Sequence, residues 1–344
     1  MIRQVTVGMA AAAALAGCSI ENAFIPGKGR DTFYQEVVDE VDILFVVDDS
    51  ASMAEEQAAL AAGFSSFVEE LQTANSNFHI GVISTSQDTD DPDRGILIGD
   101  PPYLTADDPD YVAAFQERVQ IGIGGSDKEK GLEAAWYALS PEMLVLHNVG
   151  FLRPQANLLV VVVSDEDDCS DDGFLDGRDS TSCYQLHDLL TPVREEVYRI
   201  FDAKNNGELV QLGAIIGPFD GSCADAHDGR RYAQAALMTG GIIGKICDAD
   251  WSNVLYDLGL NATGFIDTFV LSAAAAADSI EVTVDGQAVP GDPQNGWTYD
   301  PVYWTVHFNG TSVPPRGSEI LVEYELAPSG SAEPPPSQTG TLSR

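Results

Sequence analysis

The chain has 344 residues, 17 of them lysine or arginine and 54 aspartate or glutamate, for a formal net charge of -37. That field excludes a nucleic-acid backbone as partner and excludes electrostatic adsorption to anionic lipid. The length accommodates one large domain and one small one. In chain order, Arg3 precedes a short alanine-rich apolar segment over 1–17 that is too brief to span a bilayer. Residues 18–37 read as a linker. Over 38–264 short apolar strands are predicted near 42–47, 78–84, 158–163, 209–216 and 241–244. Helices are predicted near 54–71, 110–120, 128–139, 184–201, 232–238 and 251–258. All-apolar strands separated by helices imply an α/β fold with a parallel sheet covered on both faces. The acidic segment from Asp88 to Asp110 reads as a solvated surface loop. From 265 to 326 the pattern changes to short alternating stretches, with Asp285-Gly286 and Asn309-Gly310 as hairpin cues, which predicts a small all-β sandwich. Trp297, Tyr299, Tyr303, Trp304 and Phe308 read as its core rather than as a carbohydrate platform. Residues 327–344, with Pro334-Pro335-Pro336, read as a disordered tail.

Asp48-Asp49-Ser50-Ala51-Ser52 stands where the first of these strands ends and the first helix begins. One carboxylate and two hydroxyls at alternate positions, Asp48, Ser50 and Ser52, form a set of hard oxygen donors suited to a small divalent cation. Plain N-capping is the competing use of the same residues. Ser164-Asp165 follows the strand 158–163, and Gly124-Gly125-Ser126 precedes the helix 128–139. Together these three loops resemble the von Willebrand factor type A domain, whose Asp-x-Ser-x-Ser signature is matched residue for residue. Ser126 stands where that family has threonine, and Glu166 where it has glycine. The resemblance implies a doubly wound, mainly parallel, Rossmann-type sheet. It also implies a metal-ion-dependent adhesion site made by Asp48, Ser50, Ser52, Ser126 and Asp165. Mg2+, or Mn2+ or Ca2+, would sit there and accept a carboxylate from a partner protein or other ligand.

Leu15-Ala16-Gly17-Cys18 resembles the lipobox of a bacterial lipoprotein signal, which implies lipidation of Cys18 and anchorage to a membrane. Ser19 is not the aspartate of an inner-membrane retention signal, so the outer membrane is favoured. The four other cysteines allow three pairings in an oxidising compartment. Cys169–Cys183 and Cys223–Cys247 are favoured, because each pair closes one loop region between predicted elements. Residues 168–179 resemble a calcium loop, with Asp168, Ser170, Asp172, Asp176 and Asp179 as Ca2+ ligands and Gly173 at the turn. A solvated acidic loop is the plainer alternative.

Enzyme motifs fit poorly. Gly244-Lys245 is followed by isoleucine where a phosphate-binding loop needs Ser or Thr, and no Gly-x-Ser-x-Gly or His-Glu-x-x-His occurs. The sequence therefore points to a lipid-anchored envelope binding protein. A structural or assembly component remains as the alternative, with a metal-dependent hydrolase behind it. Replacing the lipobox cysteine, Cys18→Ala, should move the protein from washed membranes to the soluble fraction. Persistent co-sedimentation on immunoblots would contradict the anchor.

Overall fold

The computed structural model describes residues 27–35, 40–73, 76–88, 91–204, 210–263, 267–301, 304–315 and 317–327. The signal segment, Cys18, Tyr303, the tail beyond 327 and the expected domain boundary at 264/265 lie outside them. The first half of the chain contains β1 (Lys28–Tyr34), β2 (Glu40–Val47), α1 (Ala54–Thr73), β3 (Asn77–Ser84), β4 (Leu104–Thr105), α2 (Tyr111–Arg118), α3 (Gly131–Ala138), α4 (Pro141–Leu146) and β5 (Asn157–Ser164). Next come α5 (Thr181–Gln185), α6 (Val193–Ala203), β6 (Val210–Ile216), α7 (Arg230–Thr239), β7 (Ile243–Lys245) and α8 (Ser252–Ala262). The strands β8 (Thr268–Val270), β9 (Glu281–Val284), β10 (Gln287–Val289), β11 (Trp297–Asp300), β12 (Thr305–Phe308) and β13 (Glu319–Glu325) follow.

Period-two alternation organises the larger unit. In β2, Val41, Ile43, Phe45 and Val47 enter one core, while Leu44 and Val46 enter a second on the opposite face. Leu159, Val161 and Val163 of β5 join the first, and Leu158, Val160 and Val162 the second. Strands buried on both faces belong in the middle of a sheet. The strand order β4-β3-β2-β5-β6-β7 puts β2 and β5 there. All neighbours pair in parallel except β4, which is antiparallel to β3. Helix α1 buries Leu60, Phe64, Phe67 and Leu71 at helical spacing in the first core, together with Leu255 and Leu258 of α8. Gly259 makes that pair close: a Cβ there would lie 2.3 Å from the Phe67 carbonyl oxygen. Helices α3, α6 and α7 cover the other face through Leu132, Val197 and Tyr232. The fold is thus a mixed α/β unit joined to a β unit.

Several predicted elements change on folding. The helix expected near 184–201 is broken into α5, a 3-10 turn at His187–Leu189 and α6. Pro192 sets the start of α6 as its N-cap residue, since it lacks an N–H and disfavours helical geometry at the residue before it. The segment 88–110 is not merely solvated, because Leu97 and Leu104 are buried and β4 pairs with β3.

The stretch read as linker contains β1, which pairs antiparallel with β13 from Lys28↔Glu325 to Tyr34↔Glu319. A sheet β1-β13-β9-β10 faces a second, β11-β12-β8, around Phe269, Val282, Val306, Phe308, Ile320 and Val322. Trp304 is buried in this cluster, and Trp297 and Tyr299 pack against it. Asp285-Gly286 forms the expected hairpin, with φ of 49° and 77°. Asn309-Gly310 does not form one: a 3-10 turn follows, and β12 and β13 lie in different sheets. Asp31 of β1, 2% exposed, accepts hydrogen bonds from Tyr324 Oη at 2.7 Å and from Ser272 N at 2.9 Å. Asp31→Ala would strand both donors and should lower stability by about 3 kcal/mol in denaturant unfolding. A change within about 0.5 kcal/mol, the value for an ordinary surface position, would show that β1 contributes little.

Candidate functional site

Parallel strands bring their C-terminal ends to one edge, where ligands of α/β sheets gather. Asp48 N donates to Val163 O at 3.0 Å and Thr85 N to Val47 O at 3.1 Å, so the ends of β2, β3 and β5 are tied together. The Asp48 side chain is fully buried. Its Oδ1 accepts from Ser50 N at 2.8 Å and its Oδ2 from Ser164 Oγ at 2.6 Å. Ser50 Oγ lies 3.2 Å from Ser52 Oγ. Because Ser50 is buried and Ser52 exposed, these hydroxyls lead from the interior to solvent. Gln57 of α1 donates through Nε2 to Asp48 O at 2.9 Å and to Gly122 O at 2.7 Å, joining this turn to the loop before α3.

Two buried carboxylates, Asp48 and Asp165, dominate the electrostatics of this edge. Burial, with the Asp165 charge adding to it, pushes the Asp48 carboxyl up to about 7. Burial raises Asp165 as well, and the Ser52 hydroxyl works against it. Asp165 is 5% exposed and its Oδ1 has no hydrogen-bond partner. Among the described residues neither Asp48 nor Asp165 has a lysine, arginine or histidine within ion-pair distance. A buried carboxylate elsewhere in the unit is treated differently. Asp42, at the other end of β2, is paired with Arg153 at 2.7 Å and Lys204 at 3.5 Å. An uncompensated pair of buried carboxylates beside two hydroxyls fits a hard divalent ion. Among the described residues no group of three or more His, Cys, Asp or Glu forms a ready metal centre, so hydroxyl oxygens would have to complete the donor set.

Four of the five residues expected at the adhesion site therefore come together: Asp48, Ser50, Ser52 and Asp165. Ser126 is attached instead to Asp49. Its N–H donates to Ser86 Oγ at 2.9 Å, and Ser86 Oγ donates to Asp49 Oδ1 at 2.8 Å. Its own hydroxyl accepts from Lys128 N at 3.2 Å, which is a turn-forming role. Asp49 and Ser126 line an open cleft of about 1400 Å³ whose walls also carry Asp88, Asp91, Asp93, Asp127, Asp176 and Asp179 against Lys128 and Arg178.

One buried acid escaped the sequence reading. The helix expected from 128 begins only at Gly131, which leaves Lys128, Glu129 and Lys130 as a buried loop. Glu129 is 1% exposed, one of its oxygens is bonded to Thr85 Oγ1, and Oε1 has no partner. A Lys-Glu-Lys run reads as solvated surface, so composition offers no cue. The only signal was its place, one loop before an apolar helix at the sheet edge.

The proposed calcium ligands do not converge. Asp168 receives Arg231 Nη2 at 2.8 Å, and its Oδ1 accepts from Leu132 N at 3.1 Å. Ser170 Oγ accepts from Glu133 N at 2.9 Å, so both residues cap α3. Asp172 is held by Arg199 at 2.7 Å, Asp176 lies 3.8 Å from Lys130, and Asp179 accepts from Thr181. Protein cations and backbone donors take the oxygens that calcium would need, so the calcium-loop expectation is set aside. Cys169–Cys183 closes this loop with Cα atoms 5.3 Å apart, and Cys223–Cys247 forms the second bridge at 5.9 Å.

No family model matches the chain, and no curated protein matches it. Among solved structures it is similar to the pilus adhesin SpaC from Lactobacillus rhamnosus GG in an open conformation. That match has 16% identity and a TM-score of 0.39, covering 87% of this chain and 40% of the adhesin. A second structure of that adhesin matches at 14% identity and a TM-score of 0.41, covering 86% and 40%. The chain thus spans well under half of the adhesin's length, and at these scores neither family nor function follows from the likeness.

Behind the loop, Glu196 is fully buried and burial pushes its carboxyl up to about 8. The folded state therefore holds a proton that the unfolded chain releases near pH 4.5, and stability is lost as pH rises from there through about 8. Glu196→Gln should leave the melting temperature little changed near pH 4 and raise it progressively up to pH 8. A difference independent of pH would contradict the buried proton.

Proposed function

We propose that the chain is a lipid-anchored envelope protein that captures a partner through a divalent cation held at the ends of β2 and β5. The observation that carries this reading is the pair Asp48 and Asp165, both buried, with no ion-pair partner among the described residues, and with Asp165 Oδ1 unpartnered. Asp48, Ser50, Ser52 and Asp165 would hold the ion. When bound, Mg2+ supplies a Lewis-acid position for a partner's carboxylate.

The chain's own residues provide the rest. Ser164 and the Ser50 N–H keep the Asp48 oxygens oriented, and Gln57 keeps the turn closed on the neighbouring loop. The acidic cleft beside Asp49 selects among partners. A bare anion would be repelled there, whereas a carboxylate flanked by lysine or arginine would be drawn in. The partner class is therefore a protein segment with an acidic residue in a basic surround.

Calorimetry on chelator-stripped protein should show one Mg2+ per chain and no binding after Asp48→Ala. Capture of a partner from envelope extract should require Mg2+ and fail in EDTA. Unchanged stoichiometry in Asp48→Ala would place the ion elsewhere.

A further inference from the structure

Glu129 is held just behind Asp48 by the backbone. Thr85 N donates to Val47 O at 3.1 Å, Lys130 N to Thr85 O at 3.2 Å, and the Thr85 hydroxyl to Glu129. On its other side, Glu129 O accepts from Cys169 N at 2.6 Å, in the loop that follows Asp165. The residue therefore bridges the β3 and β5 loops on either side of Asp48. It is 1% exposed, its Oε1 has no partner, and no cationic side chain pairs with it among the described residues. Its neighbours Lys128 and Lys130 are spent elsewhere, on Asp88 at 3.5 Å and on Asp171. After burial, the charge of Asp48 is the largest influence raising the Glu129 carboxyl.

A fully buried carboxylate with an idle oxygen and no cation is costly unless it takes up a proton or a positive charge lies nearby. The two lysines beside it in sequence would cancel it readily, yet the fold directs both away. We propose that Glu129 is a positioning residue of the cation site, a third carboxylate that strengthens the hold on the ion from behind Asp48 without coordinating it. The inference rests on the cation reading of Asp48 and Asp165. With three carboxylates against a dication, the protein alone more than balances the ion's charge. The ion is then a resident of the site in the absence of a partner. A partner's carboxylate meets a site that is already electrically satisfied, so its capture depends on the basic residues around it.

Glu129→Gln keeps the shape and an acceptor for Thr85 while removing the charge. Two measurements on the full chain test it, Mg2+ calorimetry and thermal melting in EDTA. Glu129→Gln should weaken Mg2+ binding at least tenfold. It should also melt in EDTA no lower than wild type, because the ion-free protein loses a buried repulsion. Affinity within twofold of wild type would overturn the role of Glu129 and leave the cation site standing. Weaker binding with a lower melting temperature in EDTA, or failure to fold, would overturn it as well, since a purely structural role lowers both. Wild-type protein that takes up no Mg2+ would refute the cation reading itself, and this inference with it.

Discussion

Every buried carboxylate in this chain must find a positive charge, a proton or enough hydrogen-bond donors, and the supply of cations is short. Fifty-four acids share seventeen lysines and arginines. The fold commits several of those cations to structural acids: Arg153 and Lys204 to Asp42, Arg231 to Asp168, Lys130 to Asp171 and Arg199 to Asp172. Asp48, Asp165 and Glu129 are left with hydroxyl and backbone donors alone among the described residues. Such pairs at Asp42 and Asp168 carry little net stability but would be expensive to break. The unpaired group is the part of the unit where an outside charge has most to gain.

The same economy shapes the loop around Cys169, whose acids are taken up by protein donors. Helix α3 presents its first N–H groups toward that loop, and Tyr232 Oη, Asp168 Oδ1 and Ser170 Oγ accept from Gly131, Leu132 and Glu133 at 3.0, 3.1 and 2.9 Å. A helix N-terminus stabilises nearby negative charge, so Asp168 gains from the helix as well as from Arg231. The Cys169–Cys183 bridge closes the same loop, beside the strand-end carboxylates.

Much of the α/β unit was legible because burial on both faces leaves runs such as 43–47 and 158–163 that nothing but an inner strand explains. Asp48, Ser50, Ser52 and Asp165 were legible because they follow those runs directly. Ser126 was misplaced by a loop register that spacing does not determine. Glu129 was invisible because a charged residue between two lysines looks solvated, and only tertiary packing buries it. The acidic loop was ambiguous for a related reason: oxygen side chains at regular intervals serve equally as caps, as Asp168 and Ser170 do. Pro192 was a readable start signal for α6 that the apolar pattern of the segment obscured. β1 was missed because Lys28–Tyr34 alternates weakly and its partner lies at the far end of the chain.

That distant pairing constrains how the molecule assembles. Tyr34 and Glu319 are hydrogen-bonded across a separation of 285 residues, and the α/β unit lies between them in sequence. Closing so long a loop from an unfolded chain costs more entropy than closing a hairpin such as β9–β10. Once the α/β unit has folded, the path between β1 and β13 is largely fixed, and what remains of that cost is small. In the completed sheet β13 lies between β9 and β1, so the distant strand β1 occupies an edge. Asp31 seals the closure, because its carboxylate is buried only when β1 lies against Tyr324 and Ser272.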